Sequence, residues 1–373
     1  MLGVSFKKLV EDTLSRCDIQ INGKRPWDIQ VQDERLYKDI VLRGTLGLGE
    51  SYMKGWFDCQ QLDQFTFHLL RNTFNDNWHP TFGGYARAAA AFLFNKQSKN
   101  YAFEVGKKHY DIGNDLFECM LDKRMAYSCG YWKNAKDLDS AQEAKLDLIC
   151  RKLHLKKGQK ILDIGCGWGS FTKYAAERFG VYVVGITVSE KQLELAKVRC
   201  KGLPVELRLQ DYRDVNEQFD HVVSVGQFEH VGYKNYRVYM EVVERCLKDG
   251  GLFLLHTIAN NVSVKTGEPW LEKYIFPNGM LPSASQITAA SEKLFLIEDW
   301  HNFGAYYDPT LMAWNSNFEK HWNVLKAAYS EEFYRMWRYY LLTCAGVSRA
   351  RYFQLWQIVF SKKGLLSGYE SVR

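Results

Sequence analysis

The sequence has no C-x-x-C pair, and its nine cysteines stand scattered along the chain. Neither a zinc site nor a disulfide framework is indicated, and no metal is expected. Most of the cysteines read as small buried hydrophobes. No stretch approaches the roughly 18–20 apolar residues of a membrane span. A signal-peptide pattern is also missing: Met1 to Val10 holds too short an apolar run, and Lys7 and Lys8 interrupt it. The expected location is the cytoplasm, with any membrane touched only from the side. There is no internal repeat and no low-complexity tract.

What is present is an ordinary globular balance. The 373 residues, 46% hydrophobic and 25% charged, suffice for one large core and a smaller domain. The net charge of +6 fits an anionic surface, phospholipid headgroups or nucleic acid, without demanding one. Aromatic residues reach 15%, which leaves apolar walls to spare for a large apolar substrate or for a dense core.

One stretch organises the rest: Lys160-Ile-Leu-Asp163-Ile-Gly165-Cys-Gly167-Trp-Gly169-Ser170. A short apolar strand breaks at three alternate glycines and restarts as a helix, Phe171 to Phe179. Such a corner lets backbone approach a ligand where any side chain would block it. The spacing G-x-G-x-G is neither the dinucleotide fingerprint nor a P-loop. A plain strand–turn–helix corner without a ligand is the alternative.

The chain around it reads in two parts. Residues 1 to about 98 form a first unit. Its helix near Phe6–Leu14 ends before Gly23, and a short strand follows at Ile29–Val31. Leu36–Val41 fits helix or strand, Leu46–Met53 reads as a loop feeding a helix, and Asp63 is expected to cap a helix reaching Thr73. Tyr85–Phe94 is a strong helix former with a bulky apolar end and basic neighbours. It could lie in a bilayer interface or pack on the other domain. Asn95–Lys99 reads as a linker. Asp139 or Ser140 is expected to cap a helix running to Leu153. Strands at 160–164, 181–186, 205–209, 219–225 and 252–258 then alternate with helices, which predicts a doubly wound, mainly parallel α/β sheet. Ligands on such a sheet bind at the carboxyl ends of its strands. Asn260–Ala284 interrupts the order and reads as a long irregular lid. A helix, a strand near 295–300, two aromatic helices and a last strand near 352–360 close the chain.

Several segments together carry a family resemblance. They are H-Y-D-I-G-N-D-L-F at 109–117, Y-S-C-G-Y-W at 127–132, L-D-I-G-C-G-W-G at 162–169 and G-I-T-V-S-E-K-Q at 185–192. With them stand L-Q-D-Y-R-D at 209–214, Q-F-E-H-V-G at 227–232, K-Y-I-F-P-N-G-M-L-P-S at 273–283 and H-N-F-G-A-Y-Y-D-P-T-L at 301–311. The chain resembles the bacterial cyclopropane-fatty-acid-phospholipid synthases, and over its last two thirds the mycolic-acid cyclopropane synthases. D-I-G-C-G-W-G alone resembles the first motif of all class I methyltransferases. The other segments are specific. Gln227 and Asn278 depart from the pattern, where an apolar residue and glycine are expected.

The resemblance implies a class I methyltransferase fold, Rossmann-like, with a small, mostly helical N-terminal domain. It divides the chain into a lipid- or membrane-docking domain at 1–98, a linker at 99–108 and a catalytic domain at 109–373. It implies S-adenosylmethionine as cofactor, held by Tyr127, Ser128, Gly165, Gly167, Gly169, Thr187, Gln192, Gln210, Asp211 and Tyr212. It implies that the substrate is a cis double bond in a phospholipid acyl chain. Methyl transfer to an alkene creates a carbocation, which needs dry, aromatic surroundings and a base for the new methyl. The resemblance implies that this base is bound bicarbonate, with Cys129, Glu229, His256, Ile258 and Tyr307 around it. Read singly, Cys129 fits a small buried residue, His256 a core histidine and Tyr307 a packed tyrosine. It further implies a homodimer, peripheral to the inner membrane and docked on an anionic surface. Methylation to a branched product and a membrane-binding module without activity stay open beside it. No Asn/Asp-Pro-Pro-Tyr motif or long basic stripe points to nucleic acid.

Overall fold

The computed structural model describes residues 5–73 and 113–373. The expected interfacial helix at 85–94, the linker, and the start of the 109–117 segment lie outside the described residues. Contacts divide the chain into two packing units, each assembled from separated stretches. One joins the described part of Met1–Phe94 to Lys265–Pro277 and Tyr307–Phe353; the other holds the described part of Asn95–Val264 with Asn278–Tyr306 and Gln354–Arg373. This grouping differs from a single cut near residue 98, because two later stretches supply the N-terminal segment's packing partners. No helix among the described residues is long and apolar enough to cross a membrane.

The first unit is mainly helical. Its N-terminal part contains helices Phe6–Arg16, Arg35–Arg43, Thr45–Met53 and Leu62–Thr73, with β1 (Gln30–Val31) antiparallel to β2 (Phe57–Asp58). Helices Pro269–Tyr274, Tyr307–Leu325 and Glu331–Arg349 complete it. Thr45–Met53 is helix throughout, where its two glycines suggested a loop. Both glycines serve close packing: a Cβ on Gly47 would lie 2.2 Å from the Asp39 carbonyl oxygen. Asp63 is the second residue of its helix rather than the cap, and its Oδ2 accepts from Arg349 at 2.7 Å. The stretch expected to be a lid is partly ordered here, since Glu268 caps Pro269–Tyr274 and Trp270 is buried.

The second unit is a seven-stranded sheet in the order β5-β4-β3-β6-β7-β9-β8. Its strands are β3 (Lys160–Ile164), β4 (Tyr182–Thr187), β5 (Val205–Leu209), β6 (Phe219–Val225), β7 (Leu247–Asn260), β8 (Leu296–Asn302) and β9 (Phe353–Ser361). The first five pair in parallel, and β8 runs antiparallel to β9. Side chains alternate between two cores, as a pleated strand requires. Leu162, Ile164, Val184, Val222, Phe253 and Leu255 pack on one face with helix Tyr236–Cys246. Ile161, Val183, Val223, Leu252 and Leu254 pack on the other with helices Leu138–Lys152 and Ser170–Phe179. Both faces being covered explains why these strands read as near-continuous apolar runs. Asp137, not Asp139 or Ser140, caps Leu138–Lys152, because its carboxylate and Ser140 form a reciprocal capping box.

β3 has β4 on one side and β6 on the other. The chain leaves β3 towards β4 and returns later to β6, so the two connections diverge at this point. A crevice opens there, at the carboxyl ends of β3 and β6, by topology alone.

Candidate active site

The crevice holds a cavity of about 100 Å³. Its wall includes Tyr127, Ser128, Gly165, Gly167, Thr187 and Gln192, six of the ten residues expected at the cofactor. Gly165, Gly167 and Gly169 all have positive φ, at 81°, 54° and 80°. Gly165 is doubly constrained: a Cβ there would stand 2.6 Å from Gln227 Oε1. Gln227 also lines the cavity, so the departure noted in the sequence sits at the pocket wall. Gly169 precedes helix Ser170–Phe179, and a Cβ on it would press on Cys200 Sγ.

The segment before the cavity is held from three sides. Asp122 accepts from the amides of Arg124 and Ala126, which stabilises a turn with Met125 at φ 57°. Ser170 donates to the Met125 carbonyl at 2.7 Å, and Arg199 donates to the carbonyls of Arg124 and Trp168. Gln142 donates to the Ser128 carbonyl at 2.7 Å. Tyr127 meets Phe117 edge-on at 5.2 Å, and Phe117 packs against Trp168 at 4.8 Å.

On the β4 side, Thr187 donates to Gln192 Oε1 at 2.9 Å and accepts from the Ser189 amide. Gln210, Asp211 and Tyr212 follow β5 but do not line this cavity. Arg213 binds both carboxylate oxygens of Asp211, at 2.7 and 2.9 Å. Tyr212 is buried against Tyr239, in the core beneath helix Tyr236–Cys246.

A second set lies past β6 and along β7. Glu229 sits in a short 3-10 turn, and its Oε1 accepts from the Ile258 amide at 2.6 Å. Its Oε2 is buried with no hydrogen-bond partner among the described residues; the neighbouring Thr257 hydroxyl donates to the Ile258 carbonyl instead. Burial pushes its carboxyl up to about 7. The Met280 amide donates to the Glu229 carbonyl at 2.8 Å, so the returning end of the 260–284 stretch fixes the turn. His256 is buried on β7, and burial holds its imidazole neutral, well below its usual range. Gln357 Nε2 lies 3.2 Å from His256 Nδ1. His256 Nε2 has no hydrogen-bond partner among the described residues, and neither has Gln357 Oε1. Cys129 is buried, with its Sγ 3.3 Å from the Gly130 carbonyl. Tyr307 belongs to the other unit, where it opens helix Tyr307–Leu325 and meets Trp314 and Phe353 edge-on.

Three buried residues of this region were not named as site residues from the sequence. Gln357 lies against His256 from a strand about a hundred positions away. Asp163, at the end of β3, lines the cavity; burial raises its carboxyl to about 7, and Thr172 donates to it at 2.7 Å. Lys145 lines the cavity from helix Leu138–Lys152. The pattern Gln142-x-x-Lys145 inside an apolar helix face was the available signal.

Comparison with known proteins gives a consistent picture. The family described as mycolic acid cyclopropane synthetase matches residues 97–358. A cyclopropane-fatty-acyl-phospholipid synthase of Escherichia coli is 53% identical over 369 residues, covering 99% of this chain and 96% of that protein. Cyclopropane mycolic acid synthase 2 of Mycobacterium leprae is 33% identical over 288 residues, covering 69% of this chain and 94% of its own length. Among solved structures, a cyclopropane synthase of Mycobacterium tuberculosis superposes with a TM-score of 0.66 at 30% identity, covering 70% of this chain and 98% of that one. A mycolic acid cyclopropane synthase complexed with SAH and CTAB gives 0.65, also at 30% identity and with the same coverage. The fold is that of the class I methyltransferases.

Proposed function

The chain belongs to the mycolic acid cyclopropane synthetase family, and from that membership we propose that it closes cyclopropane rings on the cis double bonds of phospholipid acyl chains. It is an S-adenosylmethionine-dependent methyltransferase, and its relatives point to one-carbon transfer onto unsaturated lipids. The proposal adds the phospholipid, the ring and the residues that carry the chemistry.

The observation that carries it is the pair Glu229 and His256. Each is buried, and each keeps one polar atom without a hydrogen-bond partner among the described residues. A buried polar atom left unpaired calls for a partner, and a ligand, an ion or a water can supply it. One is an acceptor when ionised, and the other is a donor when the imidazole carries its proton on Nε2. That set fits bicarbonate, whose hydroxyl donates and whose oxygens accept. The fit for S-adenosylmethionine rests on Gly165 and Gly167, where the backbone admits a close ligand, and on the polar wall of Ser128, Thr187 and Gln192.

When bound, S-adenosylmethionine would supply an electrophilic methyl and bicarbonate would supply a base for that methyl's proton. The residues have three tasks. The glycine turn and the 125–128 segment orient the donor. Glu229, fixed through its Oε1 by the Ile258 amide, would orient the base, and His256 would donate to it. By resemblance Cys129, Ile258 and Tyr307 join this group. The buried residues around them keep water from a cationic acyl chain.

Membrane docking falls to the N-terminal segment in this proposal. Phe6, Leu9 and Leu42 are exposed there, with Lys7 and Lys8 between the first two. A homodimer at the inner face of the membrane is the expected working form.

The test uses radiolabelled S-adenosylmethionine and vesicles of cis-monounsaturated phospholipid. Ring-bearing acyl chains, identified by mass spectrometry, are expected. A branched product, or label reaching only soluble acceptors, would refute the proposal.

A further inference from the structure

Lys145 is a buried cation, 1% exposed, on the wall of the proposed cofactor cavity. Its Nζ makes one hydrogen bond, to Ser128 Oγ at 2.7 Å, and forms no ion pair within 4 Å among the described residues. An ammonium has three donors and is costly to bury unless an anion compensates it. The nearest carboxylates acting on it, Asp122 and Asp163, are engaged elsewhere: Asp122 with the amides of Arg124 and Ala126, Asp163 with Thr172. Burial draws the ammonium's own affinity for its proton down to about 8, as expected for a cation short of partners.

The geometry also fixes the direction of Ser128. A hydroxyl that accepts from an ammonium must send its own hydrogen elsewhere. Ser128 is buried and lines the same cavity, and among the described residues its hydroxyl hydrogen has no protein acceptor. Gln142, one helical turn before Lys145, holds the Ser128 carbonyl at 2.7 Å and keeps the residue in register. The glycine turn cannot replace this function at every amide. The N–H groups of Gly165 and Cys166 both donate to the Ile186 carbonyl, and that of Gly169 donates to Cys166.

We propose that Lys145 is the positioning residue and countercharge for the carboxylate of S-adenosylmethionine's amino-acid end, acting through the Ser128 hydroxyl. This rests on the reading that the cavity receives that end of the cofactor. Ser128 touches the carboxylate, and Lys145 stands behind it, polarising the hydroxyl and balancing the charge.

The test compares two ligands by calorimetry on the full chain. S-adenosylhomocysteine carries the carboxylate; 5′-methylthioadenosine keeps the nucleoside and thioether but lacks the amino-acid end. Lys145→Met is expected to weaken S-adenosylhomocysteine by roughly tenfold to a hundredfold, the loss of a charge-assisted contact. Binding of 5′-methylthioadenosine should stay unchanged. Equal weakening of both ligands, or of neither, overturns the proposal, since a merely structural lysine would not discriminate between them. If Lys145→Met loses its cooperative melt, Ser128→Ala gives the same reading: selective loss of S-adenosylhomocysteine supports the proposal, and non-selective or absent loss overturns it. A wild-type chain that binds neither ligand would instead remove the cofactor reading itself, a result distinct from either variant's failure.

Discussion

At the scale of single residues, the buried Glu229 carboxyl makes stability depend on pH. Its folded pKa, near 7, lies above the value of 4.5 for a free glutamate. The fold therefore favours the protonated form, and this group's contribution declines as pH rises from about 4.5 towards 7. The shift corresponds to roughly 3 kcal/mol at the upper end. Glu229→Gln removes the titration. Its melting temperature is expected to match wild type near pH 4.5 and to exceed it increasingly up to pH 8, as scanning fluorimetry would record. The same variant should keep S-adenosylhomocysteine affinity while turnover falls by about a hundredfold or more. Equal loss of affinity would mean that Glu229 contacts the cofactor instead. Asn278 offers a second case. The resemblance expects glycine there, and the backbone has φ 59°, a region asparagine tolerates and branched residues avoid. Asn278→Gly should fall within about 1 kcal/mol of wild type in denaturant melts, and Asn278→Val should lose about 1–2 kcal/mol. The glycine turn could be read from its local spacing, whereas Glu229 entered only through the family resemblance. The contacts of Gln357 and Lys145 could not be read, because they form only once distant elements are packed together.

Among elements, the parallel strands were the most legible. The bounds 160–164, 205–209 and 219–225 could be read directly, since strands buried on both faces leave uninterrupted apolar runs between glycine and polar breaks. Helix Thr45–Met53 was not, because glycines lower helix propensity and here a distant contact overrides it. Trp270 lies so close to Gly49 that an added Cβ would stand 2.4 Å from its Cδ1. The indole is buried, so it cannot swing aside. Gly49→Ala is expected to destabilise the helical unit by about 1–3 kcal/mol, the usual result of overpacking, despite alanine's better propensity. Paired denaturation of Gly49→Ala and Gly55→Ala separates the effects. Gly55 has open space around its Cβ position and φ 70°, so it reports backbone strain alone.

For the whole molecule, the interleaved units change how the N-terminal segment can be tested. Removing residues 1–98 would bear on membrane docking only if the remainder stayed folded. Helix Glu331–Arg349 would lose the Tyr52 and Phe57 carbonyls that Arg335 binds, and the Asp63 carboxylate that Arg349 binds. Trp337, Tyr339 and Leu341, all buried, belong to the same helix. The fragment 99–373 is expected to aggregate or melt without cooperativity in size-exclusion and circular-dichroism measurements. Substituting exposed Phe6, Leu9 and Leu42 by serine is the cleaner test: vesicle co-sedimentation should fall while the melt is preserved. The sequence reading gave two units, but their interleaving was not legible, because periodicity reports which face is buried and not what covers it. The Arg349–Asp63 pair spans 286 positions of sequence. At synthesis rates of about 5–20 residues per second, Leu62–Thr73 leaves the ribosome on the order of 15 to 60 seconds before its partner helix exists. The first segment made is thus among the last to be completed. During that interval its apolar face has no native cover, so the yield of active protein in the cell should depend on translation speed and on chaperones that shield nascent chains.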